Sequence, residues 1–235
     1  PLVVVNESAV SFNNCRFMDS QTRALDLINS SSEVRDSFFV RNAIEALRTY
    51  GSSTAIIAGN VFANTEFKGA AISVTYQARP VVTANSFTGF QKAVLVKSAY
   101  PELSDLGMVD NSYNGIFIDE NSEVLEDTVW RSEFVYLVQP GLGIGTGATL
   151  TIEAGTVVKL WNSSNANLWV NGSLVVDGHS SSTLINFTSI KDDAFGGDSN
   201  NDGSATSPDS TVGEWHSIVL AHGSNSVIKY ANFHY

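Results

Sequence analysis

Asp198, Asn200 and Asp202 occupy alternate positions directly ahead of Gly203, inside an Asp-, Asn- and Gly-rich segment that runs from Lys191. Oxygens at the first, third and fifth positions of such a run converge on a hard cation, and glycine at the sixth permits the sharp turn that follows. The twelfth position falls on Asp209, whose carboxylate reaches less far than the glutamate usual there. Asp198, Asn200, Asp202 and Asp209 are therefore the candidate ligands of a calcium ion. The alternative is a solvated turn, which this composition favours without any ion.

Asp192, Asp193, His222 and Lys229 form a second set. Two carboxylates, an imidazole and an amine are the groups that move protons when glycosidic bonds are cleaved. His179 and His216 show no metal-ligand spacing. A third set is aromatic. Trp169 lies between Leu168 and Val170, so it faces outward if those two face a core. Trp161 and Trp215 are offered as exposed companions. An outward Trp on a flat sheet suits stacking on sugar rings or packing against another chain. The competing reading is an aromatic covered by the long 190–214 loop.

The elements that must position these residues come from a repeat. Phe12-Asn13-Asn14-Cys15-Arg16-Phe17 sets a hexamer that returns at 34–39, 57–62, 82–87 and 108–113, with a sixth copy at 228–233. Each reads apolar, any, small or polar, small or Asn, any, aromatic. The closing aromatics at 17, 39, 62, 87 and 113 are 22, 23, 25 and 26 residues apart. A period of this size marks a solenoid whose repeats stack over one core. Behind each hexamer comes a short alternating run such as Ala24-Leu25-Asp26-Leu27 or Ala93-Val94-Leu95-Val96. Alternation over four or more residues belongs to strands, and helical periodicity is almost absent. The expected fold is all-β, a parallel β-helix with coils of about 22–26 residues. Its sixth-position aromatics stack inside, and Cys15, Ser37, Asn60, Asn85 and Asn111 form a ladder at a turn.

These hexamers resemble the right-handed parallel β-helix repeats of the pectate-lyase-like superfamily, including NosD-type repeats. The resemblance implies a large secreted bacterial or archaeal surface protein. Asp192-Asp193, His222-Gly223 and Ile228-Lys229 also resemble, loosely, the polygalacturonase pattern of paired Asp, Gly-His-Gly and Arg-Ile-Lys. The Asn-Thr-Asp element of that pattern is missing, Ala221 precedes His222, and no Arg precedes Ile228-Lys229.

The cadence divides the chain into a first β-helix segment at 1–118, a bridging lead-in at 119–146 and a second segment at 147–235. Glu120, Glu123, Glu126 and Asp127 make the bridge acidic. The alternative is one continuous helix with an insertion there. In the second segment Leu150 and Leu174 head similar strands, so coil length persists while the motif changes.

Composition narrows the function classes. A formal charge of −11 with 13 Lys and Arg gives no footprint for nucleic acid or an anionic membrane. No apolar run reaches bilayer length. Lone Cys15 sits in a column of Ser and Asn, so it reads as a small ladder residue. N-x-[ST] sequons begin at Asn6, Asn29, Asn162, Asn171 and Asn186. The strand that follows earlier hexamers is missing after Phe233, so the chain is expected to be part of a longer protein. The expectation is a non-catalytic structural or adhesive module, extracellular or on the cell surface. Its partners would be other copies or segments of the surface protein, or extracellular polysaccharide. A carbohydrate-active β-helix is the alternative.

Overall fold

The computed structural model describes residues 1–165 and 167–235, and those residues form two compact units, Pro1–Asn114 and Gly115–Tyr235. Every strand pairing described is parallel, and no helix occurs among the described residues.

In the first unit the coils follow one another directly. The first runs through β1 (Val3–Asn6), β2 (Ser11–Asn13) and β3 (Arg16–Met18). The second holds β4 (Arg23–Ile28), β5 (Glu33–Arg35) and β6 (Phe38–Val40), and the third β7 (Glu45–Tyr50), β8 (Ile56–Ala58) and β9 (Val61–Ala63). Next come β10 (Ala70–Thr75) with β11 (Val81–Thr88), then β12 (Lys92–Lys97) with β13 (Glu102–Met108). One sheet orders β1-β4-β7-β10-β12, and a second runs β2-β5-β8-β11-β9-β6-β3. Long β11 pairs with β8 through its first half and with β9 through its second, so it joins two short-strand columns.

The hexamer columns account for this register. Phe12, Val34, Ile57 and Val82 lie opposite one another, as do Phe17, Phe39, Phe62 and Phe87. The four phenyl rings stack at centroid distances of 4.6, 4.6 and 5.1 Å, close to the spacing of adjacent strands. The fourth-position ladder forms through Asn85. The backbone N–H of Cys15 donates to Ser37 Oγ, that of Ser37 to Asn60 Oδ1, and that of Asn60 to Asn85 Oδ1. These bonds are 3.0, 2.9 and 2.9 Å although the partners are 22, 23 and 25 residues apart.

The fifth and sixth hexamers break the pattern. β13 sets Leu103 opposite Val82, Leu106 opposite Asn85 and Met108 opposite Phe87. Met108 therefore closes its coil instead of opening a hexamer. Leu103, Leu106 and Met108 carry the right apolar spacing, and six paired residues, interrupted only at Ala84 and Asp105, outweigh the match offered by Asn111 and Tyr113. Asn111 serves another corner, where it accepts from the Phe90 N–H and donates to the Phe87 carbonyl. The last copy is divided between two sheets. Ile228 lies opposite Val176, while Phe233 stacks on Phe187 at 5.0 Å.

The second unit uses three sheets. Its strands are β14 (Tyr113–Ile118, entered from the first unit), β15 (Glu123–Val124), β16 (Thr128–Trp130), β17 (Val135–Val138), β18 (Leu142–Ile144) and β19 (Thr149–Ile152). They continue as β20 (Val157–Leu160), β21 (Leu168–Val170), β22 (Ser173–Asp177), β23 (Ile185–Ser189), β24 (Ile218–Leu220), β25 (Val227–Lys229) and β26 (Ala231–Phe233). The sheet orders are β14-β17-β20-β23-β26, β15-β18-β21-β24 and β16-β19-β22-β25. Residues 119–146 thus contribute β15, β16, β17 and β18, in register with the coils that follow. Leu150 lies opposite Leu174, as their spacing implies.

Alternation in the first of these sheets positions the site. Tyr136, Val158 and Phe187 fill the interior, while Phe117, Leu137, Lys159 and Thr188 form the neighbouring outward row. That row is nevertheless buried. The excursion between β23 and β24 crosses Val135 and Val157 and bonds Lys159 and Thr188, while Trp161, between β20 and β21, packs edge-on against Phe117.

Candidate functional site

The excursion begins with Asp192, a buried carboxylate that accepts hydrogen bonds from Thr188 Oγ1 and from the Ala194 N–H at 3.0 Å. These fasten the chain to β23 as it leaves the sheet. Gly196 then crosses the outward face with φ of +69°. A Cβ there would lie 2.8 Å from the Val135 side chain, so only glycine allows this approach. Gly197 follows, and its carbonyl accepts from Lys159 Nζ at 2.5 Å.

Three carboxylates converge just beyond. Oxygens of Asp193, Asp198 and Asp202 all lie within 4.8 Å of one another. Asp198 accepts from the backbone N–H groups of Asp202 at 3.1 Å and Gly203 at 2.8 Å. Asp202 accepts from Asn200 Nδ2 at 2.8 Å and from Thr206 Oγ1. After those bonds, Asp193 Oδ1, Asn200 Oδ1 and Asp202 Oδ1 remain shut off from solvent with no hydrogen-bond partner among the described residues. Buried oxygens in that condition are costly unless something electropositive meets them.

The electrostatics agree with crowded negative charge. Burial, followed by the charge of Asp198, raises the Asp193 carboxyl above its ordinary range, and Lys159 only partly offsets this. Asp202 is lowered, chiefly by its bond from Thr206. Lys159, fully buried, is lowered by desolvation against the opposing pull of Asp193, Asp192 and Asp198.

The far end of the excursion is tied down separately. Buried Glu214 accepts from Lys191 Nζ, from the Asp209 N–H at 3.0 Å and from Ser189 Oγ at 3.4 Å. Burial alone would raise its carboxyl, but these donors leave it below its ordinary value. Trp215 Nε1 donates to the His234 carbonyl at 2.7 Å.

Asp198, Asn200 and Asp202 therefore share one turn, as their spacing implies. Asp209 lies outside the carboxylate trio; its side chain accepts from the N–H and hydroxyl of Thr211. Asp193 takes the place in the group that the sequence pattern gave to Asp209. Asp192 is occupied by Thr188, whereas His222 is exposed in the turn after β24 and Lys229 is exposed on β25. The two halves of the acid–base set thus stand on different elements. Among the tryptophans, Trp161 meets Phe117 edge-on at 5.2 Å and Trp215 is held by His234. Trp169 is 48% exposed between fully buried Leu168 and Val170, with its indole N–H 3.2 Å from Asn171 Oδ1. Its neighbour across the sheet is Gly143, which leaves the ring unobstructed on that side.

Lys159 and Glu214 were not singled out by motif. Lys159 had a legible signal: a charged residue at an outward strand position in Val157-Val158-Lys159-Leu160, preceding a coil that carries a long excursion. Glu214 had none.

Stacked parallel coils, cross-coil ladders and repeated corner residues decide the family, and residues 2–186 match the right-handed beta helix region. The chain belongs to the right-handed β-helix family. Neither the curated proteins nor the solved structures gave a match. In a right-handed β-helix the interior is a side-chain core, so chemistry and recognition must use outward rows and excursions. The candidates here are the acidic excursion and Trp169.

Proposed function

We propose that this right-handed β-helix is a non-catalytic structural or adhesive module of a secreted or cell-surface protein, with its acidic excursion fastened by calcium. The observation that carries the reading is the sealed outward row of Phe117, Leu137, Lys159 and Thr188. A β-helix that cleaves glycans needs an open outer face lined by carboxylates, and on this sheet the excursion and Trp161 occupy it. The calcium part rests on three solvent-sealed, unpartnered oxygens, those of Asp193 and Asp202 within the carboxylate trio and that of Asn200. Asp193, Asp198 and Asp202 would supply charged ligands and Asn200 a neutral one, a donor set of hard oxygens suited to calcium. The ion would supply charge neutralisation, and the protein's residues would orient the loop on the sheet.

The test pairs two measurements on the purified chain. Calcium should raise the thermal midpoint, and incubation with neutral and uronate polysaccharides should release no new chain ends. Cleavage that depends on Asp192 or Asp193 would overturn the non-catalytic reading.

Trp169 supports a second, narrower reading, contact with a carbohydrate. An exposed indole beside Gly143, fixed by Asn171, offers a flat surface to the apolar face of a sugar ring.

A further inference from the structure

Asn171 opens one of the five N-x-[ST] sequons and follows β21 directly, two residues after the exposed ring of Trp169. The indole Nε1 donates to Asn171 Oδ1 at 3.2 Å. An indole N–H can only donate, so this bond fixes the amide with its oxygen toward the ring. Nδ2, the atom that carries an N-linked glycan, is left without a hydrogen bond among the described residues. Ser173, the third residue of the sequon, is partly exposed, and Gly172 between them meets the requirement that this position not be proline.

The other sequons lack this combination. Asn186 is buried with its Nδ2 on the Leu184 carbonyl at 3.2 Å, and Asn162 Nδ2 donates to the Gly213 carbonyl at 3.1 Å. Asn6 and Asn29 are exposed, but Val4 and buried Leu27 stand two residues before them. Of the five, Asn171 alone joins an exposed, undonating amide to an exposed aromatic.

We propose that Asn171 is an acceptor for N-linked glycosylation and that Trp169 is the platform on which the first sugar packs. In the transfer, Nδ2 bonds to the anomeric carbon of an oligosaccharide carried on a polyprenyl pyrophosphate. The carbon–oxygen bond to phosphate breaks, the lipid pyrophosphate leaves with the electron pair, and Nδ2 gives up one proton. The product amide is planar and trans, so the anomeric carbon lies on the side of Oδ1, which is the side of the indole. The pyranose is thereby carried to an aromatic surface whose neighbour across the sheet, Gly143, has no side chain to obstruct it. The inference rests on the secreted or cell-surface reading, and it gives the carbohydrate contact of Trp169 a defined partner, a sugar on the same chain.

The experiment is expression of the full chain through the secretory pathway of a eukaryotic host, with glycopeptide mass spectrometry at each sequon. Asn171 should be occupied in most molecules, and Ser173→Ala should empty it while keeping the Asn171 amide on Trp169. The unaltered chain should melt roughly 2–4 °C above Ser173→Ala, the shift expected of one ring contact in a chain of this length. In a Trp169→Ala background the same comparison should give no difference. If Ser173→Ala is not secreted, Asn171→Gln supplies the comparison. A bare Asn171 on the folded, secreted chain overturns the proposal, and an equal melting gain with and without Trp169 overturns the packing role. Fractionation of the source cells separates the two readings. An intracellular chain there defeats the surface reading and the native modification with it, whereas a surface chain with bare Asn171 defeats the glycan alone.

Discussion

Asn85 Oδ1 accepts hydrogen bonds from both the backbone N–H and the side-chain amide of Asn60, at 2.9 and 3.0 Å, from a coil 25 residues earlier. The Asn85 amide donates in turn to the carbonyls of Ile57 and Thr83. One side chain therefore satisfies four polar groups at a corner where both asparagines are buried. Asn85→Ala removes all four bonds and strips the Asn60 N–H of its partner, while the Asn60 amide keeps the Val34 carbonyl and the Thr83 carbonyl keeps the Gly59 N–H; the loss should be about 1–3 kcal/mol. Urea unfolding followed by circular dichroism measures the loss. Asn85→Asp should also destabilise, since it cannot donate to the two carbonyls.

Phe62 lies between Phe39 and Phe87 in the stacked column and is fully buried. Phe62→Ala should cost about 3–5 kcal/mol through lost burial and the cavity left behind. Phe62→Leu should cost less, because it fills most of the space without restoring the ring contacts. A midpoint equal to that of the unaltered chain in either variant would contradict the stacked core.

Glu214 gives the excursion a defined acid sensitivity. Its folded carboxyl lies below the ordinary value of 4.5, because the donors from Asp209, Lys191 and Ser189 outweigh burial. A lowered carboxylate stabilises the fold at pH above its unfolded value, and the contribution disappears as pH falls through the lower, folded value. Stability should therefore drop below about pH 4.5. Glu214→Gln should be less stable at neutral pH, by about 1.5–3 kcal/mol for a lost charged hydrogen bond, and should show a flatter acid limb.

Asp198→Asn removes one charge from the trio and keeps a single acceptor oxygen, so it retains only one of the two bonds that Oδ1 and Oδ2 accept from the N–H groups of Asp202 and Gly203. In chelator the relief of carboxylate repulsion opposes that lost bond, so this variant should melt close to the unaltered chain. In calcium its midpoint should no longer rise. Differential scanning calorimetry with and without chelator separates the two effects.

Trp169→Ala touches no core residue and should change stability by less than about 1 kcal/mol. Retention on columns of immobilised polysaccharide should fall if the indole is a contact surface. Unchanged retention on every glycan that binds the unaltered chain would remove Trp169 from the reading.

The repeated part of the fold was legible because it is set by side chains that recur: four stacked phenylalanines and the rungs from Cys15 to Asn85. The fifth repeat was not, because Asn111 and Tyr113 imitate the motif while Leu103, Leu106 and Met108 carry the pairing. A pattern written in residue types does not contain the length of each coil. The acidic cluster was legible where its residues share one turn, as with Asp198, Asn200 and Asp202. It was illegible where partners come from separate elements: Asp193 enters from the far side of Gly196, and Lys159 arrives from β20. Such meetings depend on how the excursion folds back, which no local spacing encodes.

The corner bonds at 15, 37, 60 and 85 keep nearly constant length while the chain between them grows from 22 to 25 residues. After the excursion that follows β23, β24 still takes up its place opposite Leu168. Extra residues are thus expelled sideways instead of being absorbed into the repeat. For engineering, this makes the positions between corners natural grafting sites: a foreign binding loop placed there should leave neighbouring coils in register. For evolution, it means new surface can be gained by insertion alone, with the core residues left untouched.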